Sequence, residues 1–246
     1  MTGSRSARIH VLVAEQAARR GARVSVVDVC VAAVAALPVG GAGVSAMSRT
    51  AASHPLCSTD DVSAQLEELQ LTLGEGPCVD AFALGAAVLT PDLLSDDVLD
   101  RWPVFASAAA EAGAGAVFAF PLQIGAISPG VLDLYAEVAG ELDAEDLADA
   151  MAFADTATLI LLDTAIDEPD GRVRDLGGYR AEIDQATGIL TEQLGVGIED
   201  AFVRLRAHAY AHGRRLADVA ADVVARRLRF ARDPIDAAPE EADDDA

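Results

Sequence analysis

The sequence predicts an α+β domain with an antiparallel sheet and flanking helices, followed by an all-α bundle of three helices. Three observations carry this prediction. Short apolar runs alternate with helical patterns up to about residue 165, strand patterns are missing beyond residue 178, and a segment rich in Gly, Pro and acids at 167–178 separates the two parts. With 246 residues, 52 % of them apolar, the chain is long enough for two packed cores.

Residues 1–36 are predicted to form N-terminal helices. Apolar residues recur at helical spacing over 7–20 and 25–37, and Pro38 ends the second helix. The stretch from Val29 to Met47 carries no charge but contains Pro38 and three glycines. We therefore interpret it as a buried helix followed by a core strand, and not as a membrane span.

Residues 37–166 are predicted to contain the sheet. Short apolar runs predict strands at 40–48, 88–90, 116–123 and 130–136, and longer patterns predict helices at 60–73, 97–111 and 143–163. The last two strands are expected to pair antiparallel because only a short Gly/Pro-containing connection joins them. Gly74 to Cys78 is predicted to be a loop, since two glycines and a proline favour turns.

Residues 179–232 are predicted to form three short amphipathic helices, at about 179–194, 198–212 and 215–231, joined by tight glycine turns. The third helix has the clearest apolar stripe, with Leu216, Val219, Ala220 and Val223 at helical spacing. Residues 167–178 are then a linker, and 233–246 an acidic tail.

The net charge of −22 is distributed unevenly along the chain. Residues 37–171 carry a net charge of −21, residues 177–232 carry +2, and the tail 233–246 carries −7. All 18 basic residues are arginines. This asymmetry predicts that a polyanion would contact only the C-terminal part of the chain.

The three cysteines, Cys30, Cys57 and Cys78, show no metal-ligand spacing. An odd, sparse count favours a reducing cytosol over a disulfide framework. Cys78 follows the Gly/Pro loop, and both a sensing thiol and an inert buried side chain stay open for it. His208 and His212 have a helical metal-ligand spacing, but a structural zinc site takes four ligands, so we expect no metal and no cofactor.

Three short motifs follow one another in the C-terminal part. They are Ala186-x-Gly-Ile-Leu190, Ala201-Phe202 continuing to Leu205-Arg206 and Ala209, and Arg214-x-Leu216-x-x-Val219-Ala220. Together, over about 173–231, they resemble the ANTAR domain of bacterial transcription antiterminators. One departure is Thr187, where the family usually has a lysine.

The preceding part resembles the GAF domains found upstream of ANTAR domains in actinobacteria. The run from Leu69 to Phe82, with Gly-Glu-Gly-Pro-Cys at 74–78, carries the resemblance, and Arg101-Trp102-Pro103 supports it. The two resemblances imply a GAF-like antiparallel sheet with flanking helices at 37–166 and a three-helix ANTAR bundle at 179–232.

The resemblance implies an RNA-binding regulator of transcription antitermination. ANTAR domains bind paired stem-loops in nascent mRNA leaders, usually as homodimers, and the GAF-like domain would take an unidentified small-molecule or stress signal. We therefore expect a cytoplasmic protein that is not an enzyme and has no membrane partner. A ligand-sensing protein-interaction regulator whose helical C-terminus only dimerises is the alternative, and an enzyme with an acid/base site in the GAF-like domain ranks third.

Six residues are predicted to contact RNA: Ala186, Arg204, Arg206, Tyr210, Arg214 and Arg215. The planar guanidinium binds phosphate, stacks on bases and bonds to base edges. Arg206 and Tyr210 are four residues apart and share a helix face, and Ala186 is small enough to allow close approach. The same arginines would also fit a solvated face balanced by nearby acids.

Overall fold

The structure is a computed structural model that describes residues 2–47, 54–167 and 177–231. The chain divides into two compact units, Met1–Gly177 and Gly178–Ala246. Residues 168–176 of the predicted linker and the predicted acidic tail 233–246 lie outside the described residues. The predicted domain boundaries stay predictions.

The N-terminal unit contains seven helices and five strands within the described residues. The helices are α1 (Thr2–Arg20), α2 (Val26–Ala36), α3 (Asp61–Leu73), α4 (Pro77–Leu84), α5 (Asp96–Arg101), α6 (Pro103–Glu111) and α7 (Ala144–Asp167). The strands are β1 (Gly41–Ala46), β2 (His54–Ser58), β3 (Val88–Thr90), β4 (Ala116–Ile124) and β5 (Ile127–Ala136).

The five strands form one antiparallel sheet in the order β2-β1-β5-β4-β3. Successive side chains of a strand point to opposite faces of a sheet. On β4, Phe118 and Phe120 therefore face one side while Val117 and Ala119 face the other, and all four are buried. Both faces of the sheet are consequently covered.

Each face of the sheet packs against its own layer of helices. The first core contains Ile9 of α1, Val29 of α2 and Phe153 of α7, together with the β4 phenylalanines. The second core lies under α3, α4 and α6 and includes Leu66 and Phe105. The two N-terminal helices thus belong to the same core as the sheet.

The C-terminal helices are α8 (Gly177–Leu194), α9 (Ile198–Ala211) and α10 (Leu216–Val224). The predicted fold class, an antiparallel sheet with flanking helices followed by a helical bundle, is confirmed. No helix among the described residues is long and apolar enough to cross a membrane. The uncharged stretch 29–47 forms α2 and β1, as predicted.

Four local predictions are wrong. Strand β2 was not predicted, and residues 77–78 of the predicted loop begin helix α4. The helix predicted at 97–111 is divided into α5 and α6, because Pro103 has no N–H to continue the first helix. The third C-terminal helix ends at Val224 and not at 231, since the chain reverses at Arg226, which has a φ of 59°.

Candidate functional site

The C-terminal unit is held by one apolar stripe from each helix. The residues that share this core are all almost completely buried: Ile183, Ala186, Leu190, Leu194, Ala201, Leu205, Ala209, Leu216, Val219, Ala220 and Val223. Beyond α10 the backbone N–H of Phe230 donates to Gln193 Oε1 at 2.9 Å. The segment after Arg226 therefore packs back against α8.

One flank of α9 combines a guanidinium with aromatic rings. Arg206 Cζ lies 5.6 Å from the ring centroid of Phe202, one turn earlier, which is a cation–π distance. Tyr210, one turn later, is 55 % exposed. Burial lowers the pKa of the half-buried Arg206 guanidinium from its ordinary value, which leaves it charged at neutral pH. We call Phe202, Arg206 and Tyr210 the aromatic–arginine flank.

The opposite flank of α9 carries Arg204 and two histidines. At about 100° per residue, Arg204 and Arg206 lie roughly 160° apart around the helix, so the structure does not place them together. The His208 and His212 rings stack with centroids 4.0 Å apart. Burial, His212 and Arg214 lower the pKa of His208. Among the described residues no third ligand joins the two histidines.

The two arginines at the start of α10 differ in their contacts. Arg214 donates to the Asp222 carboxylate at 2.7 Å and to the Asp218 carbonyl at 3.2 Å, so its guanidinium lies along α10. Asp222 also accepts from Arg227 at 2.6 Å, and its hydrogen bonds to Arg214 and Arg227 lower the pKa of Asp222. Arg215 is exposed at the N-cap of α10 and forms no ion pair among the described residues.

Ala186 is fully buried in the core of the C-terminal unit. Its side chain therefore fills the bundle and is not available to RNA, which corrects the prediction for this residue. Its neighbour Thr187 is 4 % exposed, and its hydroxyl donates to the Ile183 carbonyl at 2.7 Å. The threonine thus satisfies its own polar group inside the helix.

A second cluster of polar side chains is buried in the N-terminal unit. Glu67 on α3, Cys78 on α4 and Asp133 on β5 each place one ligand atom within 4.8 Å of the others. All three are at most 5 % exposed. Because Asp133 alternates with the apolar residues of β5 that face the first core, its carboxylate points towards the helices of the second core.

Burial dominates the protonation of this cluster. It raises the pKa of Asp133 to about 6, although the neighbouring Cys78, Glu67 and Gln70 act in the opposite direction. Burial and the adjacent Asp133 raise the pKa of Glu67 well above its usual range, and burial raises the pKa of the Cys78 thiol. No cationic side chain is among the groups that shift these three pKa values.

Gln70 holds two members of the cluster in place. Its Nε2 donates to Asp133 Oδ2 at 3.1 Å, and its Oε1 accepts from the Cys78 backbone N–H at 2.7 Å. Gly76, with a φ of 126°, leaves the space for this side chain, since a Cβ there would lie 2.7 Å from Gln70 Oε1. The Gly-Glu-Gly-Pro-Cys segment therefore turns Cys78 inward at the start of α4.

Residues 178–224 match the family model of the ANTAR domain. Residues 178–224 of the C-terminal unit are an ANTAR domain. This confirms the family that the three motifs predicted for this part of the chain, and it assigns α8, α9 and α10 to the match. No curated protein matches the sequence.

Several solved structures are similar to the chain outside its ANTAR domain. The GAF domain of a phosphoenolpyruvate-protein phosphotransferase from Acinetobacter is 12 % identical, over 65 % of this chain and 93 % of that chain, with a TM-score of 0.48. The corresponding domain from Coxiella burnetii is 11 % identical, over 66 % and 97 %, with a TM-score of 0.47. Free methionine-R-sulfoxide reductase from Neisseria meningitidis is 13 % identical, over 64 % and 92 %, with a TM-score of 0.38. At these values the comparisons identify neither a ligand nor an activity.

Sequence reasoning missed Glu67, Gln70 and Asp133 as members of a site upstream of the ANTAR domain. Glu67 and Gln70 lie one turn apart among other polar residues of α3, and only the packing of α3 against the sheet brings them to Asp133. A single charged residue inside the apolar run of β5 was the one available indication of Asp133. Cys30 and Cys57, also far apart in sequence, have Sγ atoms 2.8 Å apart and are both free thiols.

Proposed function

We propose that this protein is a transcription antitermination regulator whose ANTAR domain binds paired stem-loops in nascent mRNA. The single observation that carries the proposal is the ANTAR match at 178–224. The protein would act in the cytoplasm as a homodimer, with one stem-loop per protomer. Binding would stabilise the antiterminator fold of the RNA at the expense of the terminator hairpin.

The aromatic–arginine flank supports this proposal at the level of chemistry. Single-stranded loop bases are bound by stacking on aromatic side chains and guanidinium planes, and by hydrogen bonds to their edges. Arg206 and the exposed Tyr210 offer both kinds of contact one helical turn apart. Arg215 adds an exposed positive charge for phosphates at the start of the next helix.

Arg214 and Arg204 take lesser roles in the proposal. Arg214 is already engaged by Asp222, so RNA would have to compete with this ion pair. Arg204 lies on the opposite flank of α9, and a single loop base that stacks on Tyr210 would not contact it. We therefore assign the loop contact to Arg206 and Tyr210, and phosphate contacts to Arg204, Arg214 and Arg215.

The N-terminal unit would supply the input that controls RNA binding. Its cavity beside Glu67 and Asp133 has a free volume of about 10 Å³, which is close to the smallest that holds one water molecule. A small-molecule or stress signal at this site would therefore have to be small or would have to open the cavity. A regulatory protein of this kind is not expected to turn over a substrate.

A salt titration of RNA binding tests the proposal. The probe is a leader RNA with tandem hairpins, and the control is a scrambled RNA of equal length and composition. We expect tighter binding to the hairpin RNA at every salt concentration, with both affinities falling as salt rises because counterions are released. Equal affinity for the two RNAs in this range would contradict the proposal.

A protein-interaction regulator whose C-terminal helices only dimerise is the second candidate. Ile198 and Val203 of α9 favour it, since both are apolar side chains that are more than half exposed. Replacing both by Ser distinguishes the two functions. Loss of the dimer with unchanged affinity of each protomer for a single hairpin would support RNA binding, whereas loss of the dimer from a protein with no RNA affinity would support the alternative.

A further inference from the structure

The buried cluster of Glu67, Cys78 and Asp133 has the composition of a metal site. It brings two carboxylates and a thiol from three different elements to one point, with ligand atoms within 4.8 Å of one another. In the parts of the chain that the structure describes, it is the one group of three such residues with this spacing. Its existence does not depend on whether the ANTAR domain binds RNA.

One oxygen of the cluster has no partner. Asp133 Oδ2 accepts from Gln70, but Oδ1 is buried and has no hydrogen-bond partner among the described residues. Asp133 and Glu67 both line the small cavity between α3 and the sheet. A buried carboxylate oxygen without a donor is costly, so this atom indicates that a further group belongs beside it.

The charge of the cluster points to the nature of that group. Two carboxyl groups and a thiol are taken out of water, and no arginine or histidine among the described residues shifts their pKa values. The buried Asp149, in contrast, is paired with Arg5 and Arg8. A divalent cation would compensate the charge and deprotonate the thiol. The alternative is a proton shared by the two carboxyl groups, which would leave both without need of a metal.

We propose that Glu67, Cys78 and Asp133 bind one divalent transition-metal ion, with Zn²⁺ as the best fit. Thiolate and carboxylate ligands together suit zinc, whereas Mg²⁺ and Ca²⁺ prefer oxygen ligands alone. Three protein ligands leave the fourth tetrahedral position of zinc to water, and the adjacent cavity has room for about one water molecule. Inward movement of the three side chains by about 1 Å would bring them to zinc–ligand distances.

The surrounding residues orient the three ligands. Gln70 hydrogen-bonds both to the Asp133 carboxylate and to the backbone of Cys78, and the Ser45 hydroxyl donates to Glu67 Oε2. Gly43 on β1 leaves the room that the Glu67 carboxylate occupies. Polar partners of this kind fix the orientation of metal ligands and strengthen binding.

The test is the metal content of the full-length protein after a chelator has removed loosely bound metal ions. We expect about one tightly bound Zn²⁺ per chain by elemental analysis, and a thiolate-to-metal charge-transfer band when Co²⁺ replaces it. Asp133→Asn and Cys78→Ser should each weaken Zn²⁺ binding by roughly tenfold or more. Asp149→Asn is the matched control, because it removes a buried carboxylate that is already ion-paired.

Loose binding at the surface is distinguished by a second control. His212→Ala removes an exposed histidine of the stacked pair and should leave the tight Zn²⁺ unchanged. The Co²⁺ band of the unmodified protein reports thiolate ligation even if a variant fails to fold. Absence of the band, or a Zn²⁺ affinity that is the same in Asp133→Asn and in the native protein, would overturn the proposal in favour of the shared proton.

Discussion

At the scale of single residues, the space left by Gly43 sets the position of the buried Glu67 carboxylate. A Cβ at Gly43 would lie 2.2 Å from Glu67 Oε1, and Glu67 is itself 3 % exposed, so its carboxylate would have to shift inside the core. We expect Gly43→Ala to lower the free energy of unfolding by about 1–3 kcal/mol, as overpacking of a core does. Urea denaturation measures this change.

Gly140 provides the control for that variant. A Cβ at Gly140 would meet nothing within 4 Å, so Gly140→Ala should change the free energy of unfolding by less than about 0.5 kcal/mol. Equal effects of the two substitutions would show that Glu67 does not occupy the space beside β1.

Asp28 at the start of α2 makes stability depend on pH. It is 2 % exposed and accepts hydrogen bonds from Arg20 at 2.7 Å and from the Ser25 backbone at 2.8 Å. Burial acts to raise the pKa of Asp28, but the hydrogen bonds from Arg20 and Ser25 outweigh it and the pKa is lowered. Its contribution is therefore present above the unfolded-state pKa of about 3.9 and is lost as the pH falls through the lower folded-state value.

We expect Asp28→Asn to lower the free energy of unfolding by about 2 kcal/mol at neutral pH, because hydrogen bonds to a charged group are lost. The difference from the native protein should shrink as the pH falls below about 4. Urea titrations of both proteins at a series of pH values measure it. A difference that is constant down to pH 3 would rule out the ionised Asp28 as its source.

At the scale of helices and strands, apolar periodicity predicted where several elements lie. Helices α2 and α3, strand β3 and the three helices of the ANTAR domain lie where their patterns placed them, apart from their ends. Strand β2 escaped prediction because His54-Pro55-Leu56-Cys57-Ser58 has no period-two pattern and contains a proline. Its place is determined by pairing with β1, which the residues of β2 by themselves do not show.

Helix α4 escaped prediction for a different reason. Gly76 and Pro77 have the composition of a loop, yet proline is favoured in the first turn of a helix, where its missing N–H is not needed. For the candidate sites, the sequence does not show how the helices pack against one another. Arg206, Tyr210 and Arg215 were predicted from residue type, and the first is half-buried while the other two are exposed. The burial of Ala186 depends on how α8 packs.

Substitutions of two glycines test the helices of the ANTAR domain, one inside a helix and one directly after a helix. Gly188 lies within α8 and Gly213 follows α9 with a φ of 57°, and a Cβ at either would meet nothing within 4 Å. We expect Gly188→Ala to raise the free energy of unfolding by about 0.5–1 kcal/mol through helix propensity. Gly213→Ala should lower it by about 1 kcal/mol, because a side chain is strained in the left-handed region.

Thermal or urea unfolding of the full chain, followed on the transition of the ANTAR domain, measures both variants. The opposite signs make each variant the control for the other. A loss of stability in Gly188→Ala would mean that a second surface packs closely on α8 in solution.

At the scale of the whole molecule, the charge distribution restricts the proposed RNA binding to the C-terminal part and leaves the N-terminal unit for sensing. Residues 37–171 carry a net charge of −21, so an RNA would be repelled from this part and would be bound by the ANTAR domain alone. Residues 177–232, which contain the ANTAR match, have a small net charge of +2. The proposed RNA binding would therefore depend on a few well-placed contacts more than on bulk attraction.

Hairpin affinity of variants in the aromatic–arginine flank shows whether this flank binds RNA. Arg206→Ala and Tyr210→Ala should each weaken binding of a tandem-hairpin RNA by roughly tenfold or more, because each removes a contact to a loop base. Arg229→Ala, which removes an exposed arginine outside this flank, should change the affinity by less than about threefold, as one phosphate contact would. If all three variants bind as tightly as the native protein, or lose affinity equally, the aromatic–arginine flank is not the RNA site.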